Sequence, residues 1–299
     1  MHNAANINRT LNKMHNYYYK QNYTFRLTKL FYFFVISLFI LYSCTDGDDQ
    51  HDDIAPPVGP VTPAINYTVV NFHLHDTSLY TEGLLFHNGQ LFESTGSPDG
   101  LESARSMIGI SDLKTGKFEK KIELDRSKYF GEGIVFLNNK LYQLTYHNQT
   151  GFIYDANTFK KIDTFRYGNK EGWALTTNGK ELIMSDGTDA LTFLDPASLK
   201  PVRTLKVTEN GKARDSLNEL EYIKGYIYAN IWYNNNVVKI DPADGKVVGR
   251  IDFSSLAFEA VMKNPNINVL NGIAYDSTTD KIYVTGKMWS NIYEVKFTH

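Results

Sequence analysis

A chain of 299 residues, 42% of them hydrophobic and 14% aromatic, can bury a sizeable core. Its formal charge of -2, with no basic stripe, argues against a nucleic-acid partner. The single cysteine, Cys44, excludes an intrachain disulfide, so the fold must rest on packing.

The chain opens on an address. Lys20, Arg26 and Lys29 precede a short apolar run, Leu30 to Tyr42. That run is too short to span a bilayer and suits a signal-peptide core. It ends in Leu41-Tyr42-Ser43-Cys44, which is similar to a bacterial lipobox. Residues 1–44 are therefore expected to be a lipoprotein signal peptide, lipidated at Cys44, with Met14 as an alternative start. In residues 45–66, Asp46, Asp48, Asp49, Asp52 and Asp53 are followed by Pro56, Pro57, Pro60 and Pro63. Like charges and prolines oppose packing, so this segment is expected to be an extended tether. The protein is expected to be exported and lipid-anchored to the cell envelope, at the outer membrane and in some cases surface-exposed.

Residues 67–299 repeat themselves. A polar residue, usually a Gly and then an apolar strand recur as Glu82-Gly83-Leu84, Glu132-Gly133-Ile134, Glu171-Gly172-Trp173, Asn218-Glu219-Leu220 and Asn271-Gly272-Ile273. The steps of 50, 39, 47 and 53 residues suit a four-stranded propeller blade. In the second repeat, Gly133–Phe136, Lys140–Tyr146, Gly151–Asp155 and Lys160–Tyr167 read as strands. In the fourth, Leu220–Ile223, Tyr226–Trp232, Val237–Asp241 and Lys246–Phe253 do so. Asp195-Pro196 and Asp241-Pro242 read as turns. Ser255–Lys263 is the one helix candidate. The fifth repeat holds only three strands, and Tyr67–His75 belongs to no repeat. The expectation is an all-β, five-bladed propeller whose ring is closed by the N-terminal strand, removing exposed edges.

In such a ring, the starts of first strands and the ends of second strands share one face. Glu82, Glu132, Glu171, Asn218 and Asn271 then meet Tyr146, Trp232, Lys287 and Trp289 at one mouth, as binding pockets require. The plainer reading is that a Glu at a strand start hydrogen-bonds neighbouring blades and that Trp173 and Trp232 are core. Lys287, near the axis, needs a carboxylate partner or a ligand. The eight His residues show no metal spacing, and no phosphate loop or nucleophile elbow is present.

Tyr80-Thr81-Glu82-Gly83-Leu84, Tyr129-Phe130-Gly131-Glu132-Gly133, Glu171-Gly172-Trp173 and Leu217-Asn218-Glu219-Leu220-Glu221 resemble signatures of the plant-type glutaminyl-peptide cyclotransferases. So do Ala229-Asn230-Ile231-Trp232, Leu270-Asn271-Gly272-Ile273-Ala274 and Thr285-Gly286-Lys287-Met288-Trp289. The resemblance covers about residues 67–297, in order. It implies conversion of an N-terminal glutamine of peptides or proteins to pyroglutamate with release of ammonia. It implies Glu132 as proton shuttle, with Asn218 and Lys287 orienting the substrate or polarising the amide. Trp173 and Trp232 would wall the pocket. From their places at the mouth Glu82, Tyr146 and Trp289 are expected to bind substrate with them, whereas Glu171, just before a tryptophan at a strand start, is expected to tie blades together. No cofactor and no metal are expected, and the protein should act as a monomer. The chain departs from the family pattern twice, with Glu82 in place of Gln and Tyr146 in place of Trp. The competing readings are a non-catalytic surface propeller that binds protein or glycan and a calcium-dependent hydrolase propeller. Scarcity of Asp at first-strand starts counts against the second.

Overall fold

The computed structural model describes residues 61–299; Cys44, the run Leu30–Tyr42 and residues 45–60 of the expected tether lie outside the described residues. Five four-stranded antiparallel sheets are present. The first comprises β2 (Thr81–His87), β3 (Gln90–Thr95), β4 (Met107–Ser111) and β5 (Phe118–Glu123). The second comprises β6 (Gly131–Leu137), β7 (Lys140–Thr145), β8 (Thr150–Asp155) and β9 (Lys161–Arg166). The third holds β10 (Ala174–Thr177), β11 (Leu182–Ser185), β12 (Ala190–Leu194) and β13 (Pro201–Lys206). A small hairpin, β14 (Thr208–Glu209) with β15 (Lys212–Ala213), follows; no sequence signal singles it out. The fourth holds β16 (Leu217–Ile223), β17 (Tyr226–Ile231), β18 (Asn236–Ile240) and β19 (Val247–Asp252), and the helix α1 (Ser254–Lys263) comes next. The fifth holds β20 (Leu270–Asp276), β21 (Lys281–Gly286) and β22 (Asn291–Phe297), and its outer strand is β1 (Tyr67–Leu74).

Burial follows strand position. First and second strands are buried almost throughout, as in β6 and β7, whereas the outer strands β5, β9 and β13 are mostly exposed. The core accordingly lies between neighbouring blades. Val135, Tyr142, Leu175 and Met184 pack between the second and third, and Ala174, Leu191, Leu220 and Ala229 between the third and fourth. Adjacent first strands approach closely, which explains the glycine of the repeated phrase. A Cβ on Gly133 would stand 2.5 Å from the Ala174 Cα, inside any permitted contact.

The turns between third and fourth strands repeat one chemistry. Asp112, Asp155, Asp195 and Asp241 each accept backbone N–H bonds from the residues two or three positions on. Each turn is closed by the amide four residues on, from Gly116, Phe159, Leu199 and Gly245, all with positive φ. Phe159 and Leu199 adopt this conformation without being glycine. Both pack against the core beneath, which offsets the roughly 1 kcal/mol or more that the left-handed region costs.

The N-terminal segment docks earlier than expected. The tether was expected to run to residue 66, but the Ile65 amide donates to the Arg250 carbonyl at 2.7 Å and the Arg250 amide to the Pro63 carbonyl at 2.9 Å. The chain then crosses to the fifth sheet, where β1 pairs with β22 from Tyr67↔Phe297 to Leu74↔Asn291. Just beyond β1, His75 is buried between the fifth and first blades. Its Nε2 meets both Glu93 carboxylate oxygens at 3.1 Å, and its Nδ1 lies 2.8 Å from the Trp289 carbonyl. Thr81 and Ser111 hydroxyls donate to the same carboxylate.

Candidate active site

The ladder between first and second strands is interrupted in four of the five blades. It shifts between Thr81 and Gly83, Gly131 and Ile134, Leu217 and Leu220, and Leu270 and Ile273. A bulge frees residues from the ladder and re-aims their side chains. The freed residues are Glu82, Glu132 with Gly133, Asn218 with Glu219, and Asn271 with Gly272.

Glu132 is held by its backbone and left free at its carboxyl. The Ser94 hydroxyl donates to the Glu132 carbonyl at 2.7 Å, and the Ser106 hydroxyl accepts from the Gly131 amide at 2.9 Å. On the other side, the Gly133 amide donates to the Trp173 carbonyl at 3.0 Å. Ser185 repeats the Ser94 arrangement by donating to the Asn218 carbonyl at 2.9 Å. The Glu132 side chain is buried, yet no group among the described residues hydrogen-bonds its carboxyl. Burial, and then the charge of Glu82, push that carboxyl well above the usual carboxylate range; Lys287 pulls it back and Glu171 adds to the rise.

Lys287 has the carboxylate partner that its position demands. Its ammonium donates to both oxygens of Glu82, at 2.7 and 2.6 Å, with both side chains buried. The ammonium also lies 4.6 Å from the centre of the Tyr80 ring. The Asn271 amide nitrogen donates to the Thr81 carbonyl at 3.0 Å and reaches Glu82 at 3.4 Å. Burial raises the Glu82 carboxyl and Lys287 opposes the rise. Asn218 is buried beside Glu219, and its carboxamide makes no hydrogen bond with another described residue.

The wall is aromatic. Trp173 and Trp232 meet edge to face at 5.3 Å, Tyr146 meets Trp173 at 6.4 Å, and Phe130 meets Tyr146 at 5.8 Å. Trp232 is 42% exposed, so its free face looks outward. Trp173 seats over Gly187, where any Cβ would strike the indole and where φ is +78°.

Two expectations need correction. Trp289 was grouped with the substrate-binding residues, but it is fully buried and donates its indole N–H to the Asn268 carbonyl at 3.0 Å. It packs over Gly286 and braces the loop that carries Lys287. Glu171 was expected to tie blades; its one hydrogen bond among the described residues comes from the Trp173 indole N–H of its own blade, at 2.9 Å, and its contact with the second blade is the 3.6 Å approach to His147. Glu219 is a carboxylate that ties blades through backbone amides, as is Glu221, which accepts the Tyr275 amide at 2.8 Å. Glu219 accepts the Leu84 amide at 3.2 Å and the Ile273 amide at 2.9 Å, linking the fourth, fifth and first blades.

Asn271 joins the site as the repeat placed it, and Tyr80, Phe130 and His147 also belong to it, although they were not among the candidate residues. Tyr80 and Phe130 sit two residues before Glu82 and Glu132, so their equivalent places in the repeat were a usable signal. His147 follows Tyr146 as Tyr233 follows Trp232 in the fourth blade, but the two residues share no chemistry that would mark the place.

The fold and this mouth define a five-bladed β-propeller with one unpaired buried carboxyl beside aromatic walls; among the described residues no cluster of three or more His, Cys, Asp or Glu side chains could hold a metal. The model of the family described as glutamine cyclotransferase matches residues 36–297. Over 225 residues the chain is 41% identical to a glutaminyl-peptide cyclotransferase of Arabidopsis thaliana, covering 74% of this chain and 68% of that protein. The crystal structure of Myxococcus xanthus glutaminyl cyclase superposes with a TM-score of 0.71 at 33% identity, covering 79% of this chain and 98% of the other. This chain belongs to the glutamine cyclotransferase family.

Proposed function

We propose that this chain is a glutaminyl-peptide cyclotransferase, which converts the N-terminal glutamine of peptides or proteins to pyroglutamate, and that Glu132 carries the proton. The observation behind the proton role is the buried Glu132 carboxyl, unpaired and held by burial above the usual carboxylate range. In the reaction, the α-amine nitrogen bonds to the side-chain amide carbon and the bond from that carbon to nitrogen breaks, releasing ammonia. Ring closure is intramolecular, so little translational entropy stands in the way. The α-amine, with a pKa of about 7.7–8.0, has a usable neutral fraction near neutral pH. Glu132 takes the proton that the amine sheds and gives it to the departing NH₂ group, which then leaves as ammonia. Asn218, with an uncommitted carboxamide, is placed to bind the amide oxygen; Lys287 adds positive charge, though both of its hydrogen bonds go to Glu82. Trp173, Trp232 and Tyr146 exclude water around the glutaminyl arm.

The direct test is ammonia release from a Gln-initiated dipeptide. Turnover is expected with glutamine at the N-terminus and none with an N-acetylated glutamine, whose nitrogen cannot attack. A folded protein that releases no ammonia from any Gln-initiated peptide would be a binding propeller instead.

We infer further that the enzyme is exported, anchored through lipid on Cys44, and works as a monomer at the cell envelope. The lipobox-like Leu41–Cys44 and the acidic, Pro-rich residues behind it support this reading. A diacylglyceryl group supplies two chains, enough for firm anchoring. Cys44→Ala is expected to move the protein from the membrane fraction to the soluble one. A variant that still sediments wholly with membranes refutes the anchor.

A further inference from the structure

The mouth holds three carboxyl groups, Glu82, Glu132 and Glu171, and one ammonium, Lys287. A lone lysine among three acids could pair with any of them. It pairs with Glu82 through two short hydrogen bonds, and Asn271 and Tyr80 hold the two partners in place. Glu171 is taken up by the Trp173 indole. Glu132 alone has no partner among the described residues.

We propose that Glu82 is a positioning residue for the proton carrier: by clamping Lys287 it keeps that ammonium from neutralising Glu132, so the mobile proton of the site resides on Glu132. The proposal rests on the reading of Glu132 as acid and base. The groups facing Glu132 are Glu82 at the start of β2, Lys287 after β21, Glu171 before β10, and the hydroxyls of Tyr80, Tyr146 and Tyr167. His147 stands behind Glu171. Of these, only Lys287 carries a fixed positive charge. Its allegiance decides whether Glu132 is an ordinary carboxylate or a group that exchanges protons near neutral pH. A paired ammonium lowers a carboxyl by about one to three pH units, whereas a nearby carboxylate raises it.

The reactive complex holds one proton shared between Glu132 and the substrate amine. Protonated Glu132 with a neutral amine, and ionised Glu132 with an ammonium, contain the same number of protons. The profile of kcat/KM against pH is therefore a bell, with one limb set by Glu132 and the other by the substrate amine. Replacing Glu82 by glutamine removes one negative charge beside Glu132 and leaves Lys287 without a counter-charge. Lys287 then turns its charge on Glu132, and the Glu132 limb moves to lower pH.

The experiment measures kcat/KM on a Gln-initiated dipeptide across pH for wild type, Glu82→Gln, Glu82→Asp and Glu132→Gln, with a melting curve for each. In Glu82→Gln the glutamate limb is expected to fall by at least about one pH unit, while the amine limb stays. Glu82→Asp keeps the charge and should return the limb towards wild type. An unmoved limb in folded Glu82→Gln, with Glu132→Gln inactive, overturns the role of Glu82 and leaves the proton carrier standing. Full turnover in Glu132→Gln overturns the proton carrier itself. Should Glu82→Gln not fold, infrared titration of the wild-type carboxyls decides. A band that titrates above the usual carboxylate range and is lost in Glu132→Gln supports the proposal, and its absence refutes it.

Discussion

Glu132→Gln is expected to lower kcat on a Gln-initiated peptide by about 10²- to 10⁴-fold, the usual weight of general acid–base catalysis. KM should change little, because the lost interaction belongs mainly to the transition state. The substitution is unusually clean here. No described group hydrogen-bonds the Glu132 carboxyl, so the substitution takes a hydrogen bond from no neighbour, while Ser94 and the Trp173 carbonyl still hold the backbone. Removing a buried ionisable group should leave Tm equal or slightly higher. Glu171→Gln should behave differently. It weakens the bond that orients the Trp173 indole, so its effect should fall mostly on KM and remain below about tenfold. Near wild-type kcat in Glu132→Gln, with Glu171→Gln inactive, would place the proton carrier on the third blade and sink the assignment.

Removing residues through His75 is expected to destabilise the propeller severely, whereas removing residues 45–60 should leave Tm unchanged. The longer deletion strips the whole β1–β22 ladder and uncovers Val295, Tyr293 and Phe297. It also leaves Glu93 buried without its only cation among the described residues. An orphaned buried charge costs about 3–5 kcal/mol. In a domain of this size each kcal/mol shifts Tm by about 2–4 °C. The single substitution His75→Ala should therefore lower Tm by roughly 10 °C, and the full deletion by more. Burial alone would lower the His75 pKa, but the charge and hydrogen bond of Glu93, with help from the Trp289 carbonyl, raise it overall. A raised histidine stabilises fully below its unfolded pKa of about 6.5, and that contribution fades as pH rises through the folded value. The Tm gap between wild type and His75→Ala should therefore be widest near pH 6 and narrow in alkali. Equal melting of the two truncations would mean that β1 contributes nothing.

Much of this was legible because the chain states its unit five times. The phrase of a polar residue, glycine and apolar strand marked the first strands, and the Asp turns marked the hairpins between third and fourth strands. A strand left over in front and one missing behind pointed to the β1–β22 pairing. Glu132, Lys287 and Trp232 were also readable as one mouth, since strand polarity alone places strand starts and second-strand ends on the same face; Trp173 entered only through the family resemblance.

Pairing within that mouth was not readable. Glu82, Glu132 and Glu171 stand in near-identical local contexts, and in sequence any of them could hold Lys287 or tie blades. The choice depends on a few ångströms set by the bulges and by neighbouring blades. Glu82 faces Lys287 across the junction of the first and fifth blades, 205 positions apart. Glu171 lies beneath its own indole, and Glu219, at the glycine place of the fourth repeat, ties blades together with Glu221. Trp289 shows the same limit, because an aromatic residue after a second strand looks like wall until the loop folds it inward. By itself the sequence determined the number of blades, the strand order and the types of residue at the mouth, because periodicity and alternation are local properties of a chain. Only the tertiary structure decided which carboxyl is paired, which is free and which tryptophan is buried, because those depend on distances between segments that hydrogen-bond far from one another along the chain.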